Sequence, residues 1–221
     1  MDLRLIRLIA ITDDLRDGRA GLVARAAAAV RGGATMVQVR LKHVEARELV
    51  EVTRALVAGV SVPVVVNDRM DVALAAGAAG VHLGADDLPP AAARTLAPAG
   101  FVIGSSLGAD HEIADARFAD YVGIGPVFGT DSKADAGPDI GIERFARLAA
   151  LCARPAVAIG GVTANNVAAI MAVGASGVAV IRSVLSMADP AAAARAIRAA
   201  MGDAGDAGDA GDAGDAGDGS G

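Results

Sequence analysis

The chain has 221 residues, with 20 Lys and Arg against 26 Asp and Glu and a formal net charge of −6. Six of those acids (Asp203, Asp206, Asp209, Asp212, Asp215 and Asp218) fall in residues 202–221, a Gly-Asp-Ala repeat with no side chain able to build a core, so the remaining body is charge-balanced. A balanced body without a basic stripe argues against nucleic-acid binding. The single Cys152 forbids an internal disulfide, the scattered His43, His82 and His111 form no zinc-type cluster, and the apolar start at 5–11, broken by Arg7, is too short for a leader or a membrane span.

One catalytic domain over residues 1–201, followed by a disordered tail at 202–221, is the organisation this composition predicts, in a soluble cytoplasmic protein. Short β-branched runs recur about every 25 residues, a spacing that suits strand-plus-helix units. They lie at 5–11, 36–42, 62–66, 80–83, 101–104, 121–125, 156–160 and 177–181. Segments of helical periodicity separate them at 19–31, 45–58, 70–76, 90–96, 110–118, 142–151, 164–173 and 190–201. Eight alternations predict an α/β fold, a single (β/α)8 TIM barrel, and Ile11-Thr12-Asp13-Asp14 after the first strand is not the glycine fingerprint of an open nucleotide-binding sheet. Chemistry is therefore expected where the strands end, at their C-terminal side.

In the second strand, alternation sets Gln38, Arg40 and Lys42 on one face and Val37, Val39 and Leu41 on the other. Three long polar groups on a strand covered on both faces call for acidic partners within the barrel or an anionic ligand at its mouth. The third strand ends in Asn67-Asp68-Arg69, and the fourth runs through Gly80-Val81-His82-Leu83-Gly84 into Ala85-Asp86-Asp87. Asp68 or Asp87 alone reads as a helix N-cap. Together, on neighbouring strands beside a cationic one, they form a pair suited to Mg2+, which takes one or two carboxylates and completes its shell with water and substrate oxygens. His82 reads as a hydrogen-bonded core residue rather than a catalyst, His43 and His111 as surface residues, and Asp86 as a cap.

Gly104-Ser105-Ser106 follows the fifth strand and reads as a turn small enough to admit an anion. The segment 125–141 after the sixth strand is long for a barrel loop, and its Thr130, Ser132 and Lys133 supply two hydroxyls and a cation suited to phosphate oxygens. Gly160-Gly161-Val162-Thr163 and Ile181-Arg182-Ser183 follow strands seven and eight, where barrels commonly place a phosphate pocket.

The ordered set Ile11-Thr12-Asp13, Gln38-x-Arg40-x-Lys42, Asn67-Asp68-Arg69, Gly80-Val81-His82-Leu83-Gly84-x-x-Asp87, Ser106, Asp120-Tyr121-Val122-Gly123-x-Gly125-Pro126, Thr130-x-Ser132-Lys133 and Ile159-Gly160-Gly161 resembles the thiamine-phosphate synthase family across residues 5–200. The resemblance implies a transferase that joins an aminopyrimidine diphosphate to a thiazole phosphate, with both small-molecule substrates bound in the barrel mouth. Gln38, Val39, Arg40, Leu41, Lys42, Asn67, Ser106 and Lys133 would hold the pyrimidine diphosphate, and Arg40, Lys42 and Lys133 would act in catalysis. Asp68 and Asp87 would bind Mg2+. Thr130, Asp131 and Ser132 would line the thiazole phosphate site, and Gly161, Ile181 and Arg182 would offer backbone groups to its phosphate.

By the same resemblance, C–O cleavage expels pyrophosphate and leaves a pyrimidinyl-methyl cation, which the thiazole nitrogen attacks. Three departures stand out: Gly84-Ala85-Asp86 where the family often has Gly-Gln-Glu, Leu107-Gly108 after Ser106 where a His often stands, and Ser132 in place of a common Thr. Relatives that tautomerise a thiazole carboxylate phosphate need a His near the end of strand six, where this chain has Pro126, and tend to lose the Asn-Asp pair that Asn67-Asp68 keeps. A sugar-phosphate isomerase would need a paired acid and base, with His82 as its one credible base. A binding barrel without catalysis would take ligand but show no Mg2+-dependent turnover. Self-association is left open by the sequence.

Overall fold

Runs of Val, Ile, Leu and Ala form the strands because such side chains pack a pleat that is covered on both faces. The computed structural model describes residues 1–12, 14–129 and 138–202. Its strands are β1 (Leu8–Ile11), β2 (Met36–Val39), β3 (Val64–Asn67), β4 (Gly80–Leu83), β5 (Val102–Leu107), β6 (Tyr121–Ile124), β7 (Ala156–Ile159) and β8 (Gly177–Val180). Each pairs in parallel with the next, and β8 returns to pair with β1, so the sheet closes as an eight-stranded barrel.

Around it lie α1 (Gly18–Arg31), α2 (Ala46–Gly59), α3 (Met70–Ala76), α4 (Pro90–Leu96), α5 (Ile113–Ala116), α6 (Gly141–Cys152), α7 (Val167–Ala172), α8 (Arg182–Leu185) and α9 (Pro190–Ala200). Among the described residues, no helix is long and apolar enough to cross a membrane. Helix α9 shows why these segments start where they do: Pro190 occupies its first turn, and the Asp189 carboxylate accepts from Ala192 N at 2.9 Å.

Apolar residues segregate into three clusters. One joins β2–β5 to α1–α4 and a second joins the remaining strands to α6–α9, while the third fills the barrel itself with Ile6, Ile9, Ile11, Met36, Val65, Tyr121, Val157, Ala179 and Ile181. The barrel and its ring of helices are thus the fold the alternation predicts.

The structure corrects several boundaries. The first apolar run is not strand throughout: Leu3–Ile6 forms a 3-10 turn held by the Asp2 carboxylate on Arg4 N at 2.9 Å, and Ile6 enters the barrel cluster. Strand β5 runs past Gly104 to Leu107 because β6 continues the ladder beside it, pairing Ser105 with Val122 and Ser106 with Gly123. The expected helix at 110–118 is a 3-10 turn, Asp110–Glu112, followed by the four-residue α5. The expected helix at 164–173 shrinks to α7 because the Asn166 side chain accepts from Thr163 N at 2.8 Å and donates to Gly161 O at 2.9 Å, a local turn that competes with helix. Helix α8 was not foreseen. The tail beyond Gly202 lies outside the described residues.

Candidate active site

Alternation sends every second strand residue inward, and the inward set divides the barrel into two halves. From β7, β8 and β1 come Val157, Ile159, Ala179, Ile9 and Ile11; from β2 to β6 come Gln38, Asn67, His82, Ser106, Tyr121 and Gly123, with Arg40 just beyond β2. These residues line one cavity of about 400 Å3, including its opening to solvent. An apolar wall facing a wall of amides, hydroxyls and a guanidinium suits a flat heteroaromatic ligand with polar edges.

The polar wall is internally organised. Gln38 donates through Nε2 to Asn67 Oδ1 at 2.7 Å, which fixes both amides across the β2–β3 seam. Arg40 is 91% buried, its backbone N held by Thr12 Oγ1 at 2.8 Å while the same hydroxyl donates to Arg40 O at 3.2 Å. His82, half-buried, meets the Tyr121 hydroxyl through Nδ1 at 3.1 Å and Ser106 Oγ through Nε2 at 3.2 Å. Lys42 lies further out and is exposed.

At the rim, Asp68 adopts a left-handed backbone with φ of 64°, a conformation Asp tolerates better than most residues, and its N donates to His82 O at 2.8 Å. Asp87 closes the turn after β4, its Oδ2 accepting from Gly84 N at 2.6 Å. The two carboxyls stand close enough to hydrogen-bond when one of them is protonated. Burial, that hydrogen bond and the charge of Asp87 raise the pKa of Asp68 to about 6, while Lys42 and Arg40 pull it back down. Two neighbouring acids beside two cations form a site that a divalent ion would fit. Among the described residues no cluster of three or more His, Cys, Asp or Glu exists, and a pair of carboxylates suits an ion such as Mg2+, which completes its shell with water and substrate oxygens.

Beyond β7 and β8 the backbone forms a tight shelf. Gly161 has φ of 62°, and a Cβ there would stand 2.7 Å from Phe128 Cβ and 2.8 Å from Gly129 O, so a larger residue would meet both strain and collision. The shelf is tied to the first turn of α8 by Ser183 Oγ, which donates to Val162 O at 2.6 Å. Ile181 is buried beside it, and Arg182 opens α8 at the surface.

Of the residues singled out from sequence, the structure brings Gln38, Arg40, Asn67 and Ser106 to one cavity, places Asp68 and Asp87 together at its rim and sets Gly161, Ile181 and Arg182 at the ends of the adjoining strands. Val39 and Leu41 point the other way, into the apolar layer under the helices, so only their backbone faces the mouth. Thr130, Asp131, Ser132 and Lys133 lie outside the described residues.

The departures at Ala85 and Asp86 are exposed, and at Gly108 the backbone N donates to Glu112 Oε2 at 2.6 Å. Pro126 follows Gly125 at the end of β6. Tyr121 was missed as a lining residue. Its period-two spacing to Gly123, on the same face of β6, was the available signal.

A family model described as thiamine monophosphate synthase matches residues 8–184. The chain is 43% identical over 174 residues to the thiamine-phosphate synthase of Azorhizobium caulinodans, covering 76% of this chain and 82% of that protein. Its identity to the thiamine-phosphate synthase of Methanoculleus marisnigri is 47% over 157 residues, covering 69% and 74% respectively. The solved thiamine phosphate pyrophosphorylase of Pyrococcus furiosus superposes with a TM-score of 0.78 at 33% identity, over 90% of this chain and 97% of that one.

Proposed function

The chain belongs to the thiamine monophosphate synthase family, and from that premise we propose that its barrel mouth joins an aminopyrimidine diphosphate to a thiazole phosphate, releasing pyrophosphate. The observation that carries the assignment to this site is the rim pair Asp68–Asp87, side by side within reach of the charges of Arg40 and Lys42 and standing over a cavity with one polar and one apolar wall.

The C–O bond of the pyrimidine diphosphate breaks, and pyrophosphate leaves with the bonding electron pair. The exocyclic amino group of the pyrimidine donates electron density to the methylene cation left behind. The thiazole nitrogen then gives its lone pair to that carbon, forming the new C–N bond. No proton leaves carbon in this sequence.

Arg40 and Lys42 bind the diphosphate and stabilise the charge that grows on it as the bond opens. The amide pair Gln38–Asn67, already fixed at 2.7 Å, presents hydrogen-bonding edges to the aminopyrimidine, and the apolar wall excludes water from the cation. Ser106 donates to the same substrate. Asp68 and Asp87 would hold Mg2+, which supplies neutralising charge to the departing diphosphate. The family resemblance gives Lys133 to the leaving group and Thr130, Asp131 and Ser132 to the thiazole phosphate, and Gly161, Ile181 and Arg182 offer backbone N–H groups to that phosphate.

The test mixes purified protein with the pyrimidine diphosphate, the thiazole phosphate and Mg2+, omits each in turn, and follows pyrophosphate while checking the organic product by mass. Release that needs all three components, with the joined product present, is expected. Binding of the thiazole phosphate without any release would overturn the proposal and favour a tautomerase or a binding barrel. Asp68→Ala and Asp87→Ala are each expected to lower Mg2+-dependent turnover far more than thiazole phosphate binding; equal loss of both would remove the pair from metal binding.

A further inference from the structure

A chain of three side chains crosses the barrel, and two of them, Tyr121 and His82, have no part in the reaction as so far described. The Tyr121 hydroxyl stands 3.1 Å from His82 Nδ1, and His82 Nε2 stands 3.2 Å from Ser106 Oγ. Tyr121 is on β6 and His82 on β4, so the first of these contacts reaches over the strand between them. It does so at Gly104, where a Cβ would lie 2.3 Å from Tyr121 Cζ and 2.5 Å from His82 Nδ1. A Cβ at Gly123 would lie 3.1 Å from His82 Cε1. Two strand glycines, each weakening its strand relative to a larger residue, therefore keep open the space the chain occupies.

The chain has a direction. Tyr121 is 99% buried among Ile9, Val65 and Val157, and His82 is the hydrogen-bond partner of its hydroxyl. Burial and the charge of Asp120 push the phenol's ionisation far up, so it keeps its proton. If Ser106 donated to Nε2 and Nδ1–H donated to the phenol oxygen, the phenol proton would be buried without an acceptor, the costliest arrangement for a hydroxyl. The opposite polarity satisfies every group: the phenol donates to Nδ1, the imidazole proton sits on Nε2 and is donated to Ser106 Oγ, and the Ser106 proton turns toward the cavity.

We propose that Tyr121 and His82 are positioning residues that commit the Ser106 hydroxyl to donating a hydrogen bond to the pyrimidine diphosphate. This rests on Ser106 serving that substrate, as set out above. The bound atom is an acceptor on the pyrimidine ring or on its diphosphate.

The first readout is the 15N spectrum of His82 in the full-length protein, assigned by its loss in His82→Gln. A neutral ring protonated at Nε2 is expected, and a ring protonated at Nδ1 would overturn the proposal, whether or not any variant folds. In Tyr121→Phe the single tautomer should give way to a mixture. The kcat/KM for the pyrimidine diphosphate should fall about tenfold, the size of one hydrogen bond, with KM for the thiazole phosphate unchanged. In a Ser106→Ala background Tyr121→Phe should cost nothing more; losses that multiply would overturn the proposal, because a residue acting through Ser106 has no effect once its hydroxyl is gone. The spectrum needs no turnover, so an Nε2-protonated ring in a protein that releases no pyrophosphate supports the polarity of the chain while removing the synthase reading.

Discussion

Asp68 ties the chemistry of the mouth to its stability. Its pKa rises from an ordinary 3.8 to about 6 in the folded protein. Between those values the folded chain retains a proton that the unfolded chain has released, so the stability that Asp68 contributes is fullest below about pH 4 and falls as pH rises toward 6. Asp68→Asn is expected to flatten that slope, read as thermal midpoint against pH in the absence of metal. Added Mg2+ should raise the midpoint above pH 6 and leave it unchanged below pH 4, because a protonated carboxyl is no ligand.

Gly104 is the second sensitive position. An added methyl would meet two side chains at once, neither of them the loose end of a flexible group. Gly104→Ala should cost about 1–3 kcal/mol in urea unfolding, the usual penalty of overpacking, and should separate Tyr121 from His82.

Among the elements, the turn before α7 carries a prediction of its own. Asn166 holds Thr163 N and Gly161 O, and Gly161 is a residue whose backbone N–H the proposed function gives to the thiazole phosphate. Asn166→Ala should lower stability by about 1 kcal/mol and raise KM for the thiazole phosphate, with KM for the pyrimidine diphosphate unmoved. Steady-state kinetics with each substrate varied separately would check this.

The same turn shows what sequence reading misses. Residues 164–166 were read into the helix that follows, yet the Asn166 side chain offers the backbone an alternative that periodicity alone does not reveal. The inward position of Gln38 was legible because alternation with period two is a local property of its strand. The end of β5 was not, since Gly-Ser-Ser has turn composition and only the β6 ladder keeps it extended. The meeting of Tyr121 and His82 needs the register of three strands at once, and so could not be read from any single motif. For the opposite reason, Val39 and Leu41 are adjacent in sequence to site residues but belong to the layer under the helices.

For the molecule as a whole, residues 8–184 match the family and the described residues end at Gly202, so the Gly-Asp-Ala repeat lies outside both. Truncation after Met201 should leave kcat/KM within experimental scatter; a clear fall would give the repeat a function.

The pairing of β8 with β1 has its own consequence, for how the chain is made. Until residues 177–180 are available, β1 and β7 each present a bare edge of N–H and C=O groups, the kind of edge on which strands of other chains can pair. The first strand synthesised must wait for the last, and nearly the whole barrel lies between them. Vulnerability to misassembly is thus concentrated in the interval before the ring closes, and once it closes the sheet has no edge left to offer.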